Sequence, residues 1–178
     1  MKTIYLKNGD TVQLREAVKE DATELVAYLQ KIGGESDFLT FGSGEFSVSV
    51  SDEEAILVES STTGNKIMLL SLVENKVIGC LHFEGGARPR VQHTGEFGVS
   101  VLKDYWDKGI GTEMVQELIQ WAKASKIIRK LNLRVRSDNA RAIRIYERLG
   151  FIREGLITRE FFISGEFYDF IYMGQNVD

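Results

Sequence analysis

Gly109-Ile110-Gly111-Thr112 is followed, thirty positions after its first residue, by Asn139-x-x-Ala142-x-x-x-Tyr146-x-x-x-Gly150-Phe151. Glycines at a strand-to-helix junction let backbone N–H groups approach an anion closely, and a helix N-terminus adds a partial positive charge. The chemistry this suggests is phosphate or pyrophosphate binding; a tight turn that merely starts a helix would show the same residues. In the second segment, at about 100° per residue, Asn139 and Tyr146 lie about 20° apart with Ala142 beside them. One helix face therefore carries an amide, a small gap and a phenol. A ligand lying along it would meet donors and an acceptor with close access to the backbone. A helix cap, a packing alanine and a core tyrosine would give the same pattern.

The phosphate ligand can be narrowed. A dinucleotide fingerprint needs a third glycine where Met114 stands and an acidic residue about 20 positions on. No Asp or Glu occurs between Lys123 and Ser137, and no Walker A sequence is present. The segment Lys103 to Lys108 is also longer than the turn of a nucleotide fold. NAD and ATP are disfavoured by missing parts. Cys80 is alone, so no intrachain disulfide and no CxxC zinc site can form. With only His82 and His93, a three-histidine zinc site is excluded; no metal is expected. Cys80 sits in the apolar run Val77-Ile78-Gly79-Cys80-Leu81, where packing is its expected role. His93 is expected to make a structural hydrogen bond.

These residues need elements to hold them. Thr11–Arg15 alternates as a strand, and a helix runs from about Asp21 to Ile32, where Gly33-Gly34 stops it. Residues 35–51 have no clear period, and Asp52–Glu59 suggests a short helix. Lys66–Val73 and Lys76–Glu84 are strands joined at Glu74-Asn75. Glu96–Leu102 alternates again. Ile110–Ala124 has helical apolar spacing, Leu131–Val135 alternates, and Ser137-Asp138-Asn139 opens a helix that Gly150 stops. Phe151 to Met173 gives two strands with a turn at Ser164-Gly165. This order predicts an α/β or α+β sheet with parallel and antiparallel pairs.

The 178 residues suit one domain over 1–178, and 43% hydrophobic with 27% charged residues reads as globular. A net charge of −4 provides no general field for nucleic acid or anionic membrane. There is no signal-like run and no stretch of about 18 apolar residues. A soluble, cytoplasmic protein without nucleic-acid or membrane partners is expected.

Taken together, Gly109, Gly111, Asn139, Ala142, Tyr146, Gly150 and Phe151 resemble the pattern of the GNAT superfamily of acyl-CoA-dependent N-acetyltransferases. Val12 to Ala17 with Asp21 looks like the opening strand and helix of that family, and Phe167-Tyr168-Asp169 like its last strand. Residues 35–65 are least typical. Trp106 stands where the family has Gln or Arg, a variation similar to the ribosomal-protein and polyamine-acetylating branches. The resemblance implies a mixed, mostly antiparallel seven-stranded sheet with flanking helices and a splayed central parallel pair, Glu96–Leu102 beside Leu131–Arg136. It implies acetyl-CoA as donor, a primary amine of a small molecule or a peptide N-terminus as acceptor, and a homodimer.

By the same resemblance, Val99 and Val101 would hold the pantetheine arm through their backbone. N–H groups of Lys108, Gly109, Ile110, Gly111 and Thr112 would hold the pyrophosphate. Asn139 would bond the arm, Ala142 would line it, and Tyr146 would point at the thioester sulfur as general acid. An N–H near Val101 could face the oxyanion. An amine with a pKa of about 10 must lose a proton before attack. Glu96, on a strand face with Gly98 and Ser100, is the first candidate base; Glu35 and Asp37 are the others. Arg141, Arg144 and Arg148, at helical spacing, are either a solvated face or partners of the adenosine 3′-phosphate. The alternative is a CoA-binding sensor without turnover.

Overall fold

The computed structural model describes residues 2–6 and 9–178. An eight-stranded sheet runs through it in the order β1-β2-β3-β4-β5-β6-β8-β7. Its strands are β1 (Lys2–Tyr5), β2 (Thr11–Glu16), β3 (Lys66–Val73), β4 (Lys76–Gly85), β5 (Thr94–Val101), β6 (Lys130–Arg136), β7 (Ile152–Ile163) and β8 (Glu166–Asn176). Only β5 and β6 pair in parallel; all other neighbours are antiparallel. The sheet has one strand more than the seven expected, because Lys2–Tyr5 adds to the outer edge of β2, with Ile4 opposite Val12.

Four helices cover the sheet: α1 (Ala22–Ile32), α2 (Val50–Thr62), α3 (Ile110–Ser125) and α4 (Ala140–Arg148). The second is longer than the 52–59 expected, because Ser49 caps it by accepting from the Asp52 N–H at 3.1 Å. Asp21 does not cap α1 with its side chain. It takes the Arg15 guanidinium at 2.6 and 2.8 Å and the Val18 N–H at 2.8 Å, and that pair holds its carboxyl below the usual range. The β3–β4 turn uses Glu74 and Asn75, both with positive φ (48° and 65°), the twist a two-residue hairpin requires.

Strand alternation sorts the helices onto two faces. Tyr28 of α1 bonds Ser100 on β5, so Ser100, with its cross-strand partner Cys80, faces α1 and α2. Phe97 meets Tyr146 of α4, and Phe83, its partner on β4, meets Trp121 of α3. The core is thus two apolar layers about one sheet. Among its fully buried side chains are Leu25, Leu57 and Leu70 as well as Phe83, Met114 and Leu118. Among the described residues no helix is long and apolar enough to cross a membrane.

One glycine fixes the centre of the sheet. A Cβ at Gly95 would lie 2.2 Å from the Glu84 carbonyl oxygen on β4. Gly95→Ala is expected to push β4 and β5 apart and cost about 2 kcal/mol or more, lowering Tm by at least about 4 °C. A thermal melt equal to wild type would show that the close approach does not constrain the fold.

Candidate functional site

The parallel pair opens after three residues. Thr94, Gly95 and Glu96 pair with Lys130, Leu131 and Asn132, and beyond them β5 and β6 share no register. Leu102, just past β5, donates its N–H to Ile78 at 2.9 Å, toward β4. Successive backbone groups alternate sides along a strand. The N–H and C=O of Val101 and Val99 therefore point the other way, into the gap. One of these groups has a partner: the Trp106 indole donates to the Val101 carbonyl at 2.6 Å. A cavity of about 560 Å³ lies at the fork and is lined by residues from both faces of the sheet.

On the α3/α4 face the cavity is lined by Val99, Val101, Gly109, Ile110, Gly111, Thr112, Asn139, Ala142 and Tyr146. The expected binding residues are thus brought together, apart from Lys108, whose expected part is its backbone N–H. Its ammonium lies 4.7 Å from the centre of the Tyr105 ring and its side chain does not line the cavity. Gly109 is the N-cap of α3, with φ of 81°, and no side chain caps this helix. Its first-turn N–H groups have no intrahelical partners and lie at the cavity wall. A Cβ at Gly111 would sit 3.9 Å from the nearest side-chain atom, so the space there is open.

Asn139 caps α4, accepting from the Ala142 N–H at 3.1 Å, and lines the cavity. Tyr146 packs edge-on against Phe97 and Phe151. Its hydroxyl has no hydrogen-bond partner among the described residues, and burial pushes its pKa up to about 12. It stays protonated at neutral pH, as a proton donor must. Outside the α3 terminus, Arg141 is paired with Asp107 at 2.9 Å, while Arg144 and Arg148 share the adjoining groove without an ion pair among the described residues.

The α1/α2 face carries different chemistry. Glu96 accepts from Arg134 Nε at 2.8 Å, and Arg134 Nη1 donates to Glu160 at 2.6 Å. The two carboxylates keep this guanidinium charged. Arg136, two residues on, holds Asp138, donates to the Asp37 carbonyl at 3.0 Å and lies 4.3 Å from the ring centres of Phe38 and Tyr168. It therefore ties the segment after α1 to the β7–β8 hairpin. Neither Glu35 nor Asp37 lines the cavity. The Glu35 carboxylate accepts the Lys103 N–H at 2.7 Å. His82 and Cys80 line the cavity from β4; burial raises the Cys80 thiol to about 12, which keeps it an inert, packed thiol. His93 contributes its backbone carbonyl, which accepts from the Arg129 N–H at 2.8 Å.

Sequence reasoning singled out neither Arg134 nor Glu160, nor the ring pair Phe38 and Tyr168. The strand period alone could have placed Arg134 and Arg136 on the Glu96 side of β6. Nothing local marks Glu160, because an irregular β7–β8 register between Ile157 and Phe161 decides where it points.

With this geometry in place the comparisons decide the family. Residues 36–151 match the model of the acetyltransferase (GNAT) family. The chain belongs to that family. The solved GNAT acetyltransferase of Streptococcus pneumoniae superposes with a TM-score of 0.91 at 33% identity, over 94% of this chain and 99% of that one. Escherichia coli L-amino acid N-acetyltransferase AaaT is 29% identical over 60% of this chain and 66% of its own length. Escherichia coli spermidine N(1)-acetyltransferase is 34% identical over 47% and 45%. The chain thus spans between about half and two thirds of these two curated relatives. In this GNAT chain Trp106, in the loop before α3, donates its indole N–H to the Val101 carbonyl. Trp106→Phe removes the donor to Val101 and is expected to cost about 1 kcal/mol, or about 2–4 °C in Tm. An unchanged melt would refute that contribution.

Proposed function

We propose that this GNAT protein, acting as one domain over residues 1–178, moves an acetyl group from acetyl-CoA directly to a primary amine. The observation that carries this is the fork itself. It leaves backbone groups of Val99 and Val101 facing a passage that connects the uncapped α3 terminus on one face with ionisable side chains on the other. The residues fit the donor. Anion oxygens would meet the free N–H groups of Gly109 to Thr112, and the amides of the pantetheine arm would pair with Val99 and Val101. Asn139 would add a bond through its amide nitrogen, with Ala142 leaving room for the arm. Arg144 and Arg148 are the cations within reach of the 3′-phosphate. Acetyl-CoA supplies the electrophilic thioester carbonyl and the thiolate leaving group.

The chain's own groups divide the remaining work. The Val101 N–H faces the position of the developing oxyanion. Tyr146 carries the proton for the departing sulfur, since its hydroxyl is protonated and otherwise unpartnered. Glu96 and Glu160 attract the acceptor's cationic amine to the opposite mouth.

A small amine is favoured over a folded protein as acceptor, because Arg136 joins the residue 33–49 segment to the hairpin and narrows that mouth. Two relatives bear the names of amino-acid and spermidine acetyltransferases, and both classes are small amines. A homodimer is part of the same proposal, supported by edge strand β7, whose hairpin exposes Ile152, Leu156, Phe162 and Phe167. So is work in the cytoplasm, where a single unpaired cysteine is at ease.

CoA-thiol release, measured over a panel of polyamines, amino acids, aminoglycosides and free-amine peptides, tests the activity. Turnover above hydrolysis on at least one amine is expected; a silent panel with acetyl-CoA still raising Tm would favour the sensor. Tyr146→Phe should lower kcat by about 10²-fold while acetyl-CoA binding persists; an unaltered rate would remove Tyr146 from the chemistry. Gly111→Asp should fold, since a Cβ has room there, yet lose stabilisation by acetyl-CoA. Retained stabilisation would overturn the phosphate assignment.

A further inference from the structure

On the α1/α2 face of β5, Glu96, Gly98 and Ser100 succeed one another, and Gly98 contributes no side chain. A Cβ built there would meet nothing within 4 Å, so a notch lies over the middle of the strand. His82 is directly across from Gly98 in the β4–β5 register. Directly opposed residues have Cβ atoms about 5 Å apart, whereas next-nearest positions along one strand are about 7 Å apart. The His82 imidazole therefore flanks the notch, and it lines the cavity. Its ring nitrogens have no hydrogen-bond partner among the described residues.

The other groups at this notch are engaged. Glu96 is paired with Arg134, and Ser100 with Tyr28 at 2.8 Å. Both side chains already have partners, which leaves the His82 imidazole, among the described residues, as the unpartnered acceptor at the notch.

We propose that His82 takes the proton from the acceptor ammonium, while Glu96, held by Arg134, binds and orients that ammonium without deprotonating it. This deepens the acetyltransferase function proposed above and rests on it. One N–H bond of the ammonium breaks and one N–H bond of the imidazole forms. The freed lone pair makes the new C–N bond. On collapse of the intermediate the C–S bond breaks and Tyr146 protonates the departing sulfur. Tyr146 is re-protonated by the second proton that the new amide nitrogen sheds, and the imidazolium returns its proton to water through the open mouth. Burial lowers the His82 pKa from its usual value, so the ring is neutral and ready to accept at physiological pH. Desolvation in the notch likewise lowers the pKa of a bound ammonium, which eases the loss of its proton. The charges that bear on His82 are Glu84 and Lys66, paired with each other at 2.7 Å; Glu96 lies two residues before Gly98 on the same face of β5. Cys80 on its own strand, Tyr28 from α1 and the buried Glu53 from α2 complete its titratable surroundings.

The test compares wild type, His82→Gln, His82→Ala and Glu96→Gln with acetyl-CoA and with spermidine and L-methionine as probe amines, from about pH 5.5 to 9.5. In wild type, kcat/KM should fall on the acid side below the ordinary histidine pKa of about 6.5. His82→Gln should lose that limb and about 10²-fold in kcat, and added imidazole should restore His82→Ala at least about tenfold. Glu96→Gln should raise KM for the amine and keep the acid limb. Stabilisation by acetyl-CoA should be equal in all four, which shows that the variants fold and bind donor. The His82 C2–H resonance, assigned with a His93→Gln reference, should shift when a saturating probe amine is added without turnover. A His82→Gln enzyme with wild-type rate and acid limb, or loss of the limb in Glu96→Gln, overturns this inference alone. So does an imidazole resonance indifferent to the amine. A wild type that neither turns over nor gains Tm with acetyl-CoA defeats the parent function instead.

Discussion

Two central strands that stay paired for only three residues set the terms for the rest of this protein. A sheet normally satisfies its backbone polar groups by continuing the ladder, and leaving them unmade away from water costs about 1–3 kcal/mol each. Here the ladder stops after Glu96, in the middle of the sheet and not at an edge, where solvent would take over. The chain meets part of the cost with the Trp106 indole, which covers the Val101 carbonyl. The groups that remain face a passage of ligand size. A donor whose own amides ran beside β5, as proposed, would complete the sheet.

In the proposed reaction the fork would also separate the two halves of the transfer. Because side chains alternate along β5, Phe97, Val99 and Val101 belong to the side of α3 and α4, and Glu96, Gly98 and Ser100 to the side of α1 and α2. One side supplies free helix amides, small residues and a protonated phenol. The other supplies carboxylates, guanidinium groups and an imidazole. The half-exposed pairs around Arg134 contribute little to stability, since exposed ion pairs are worth about 0–1 kcal/mol. Their effect is to fix directions: Arg134 locks Glu96 in place, and Arg136, stacked on Phe38 and Tyr168, holds the mouth of the passage.

Most elements were legible because local patterns agreed with the global fold. The Glu74-Asn75 hairpin, the apolar period of Ile110–Ala124 and the Asn139 cap each follow from nearest-neighbour physics. The first strand was not legible: four residues with little period become a strand only because β2 offers them an edge. The second helix was underestimated because its weak apolar period gives no sign of how far a good Ser49 cap carries it. Residues 35–51 could not be read, since their aromatic side chains are ordered by partners far away in sequence, as Phe38 is by Arg136. Among the candidate site residues, the glycines, Asn139, Ala142, Tyr146 and Glu96 do line one passage. The Lys108 side chain lies over the Tyr105 ring, which leaves its expected part to its backbone N–H, and Glu35 is spent on the Lys103 N–H.

By itself the sequence determined the order of elements, the glycine turn before a helix and the amide–alanine–tyrosine face, because these depend on φ preferences and helical period within a few residues. It excluded disulfide and histidine-rich metal chemistry by counting. Tertiary structure alone decided that β5 and β6 part after Glu96, that Trp106 covers the Val101 carbonyl, and that Glu96 meets Arg134 and Glu160. It also set His82 across from the bare Gly98. Those outcomes depend on register between strands far apart in the chain, and a register shift of one residue would carry every one of these side chains to the other face.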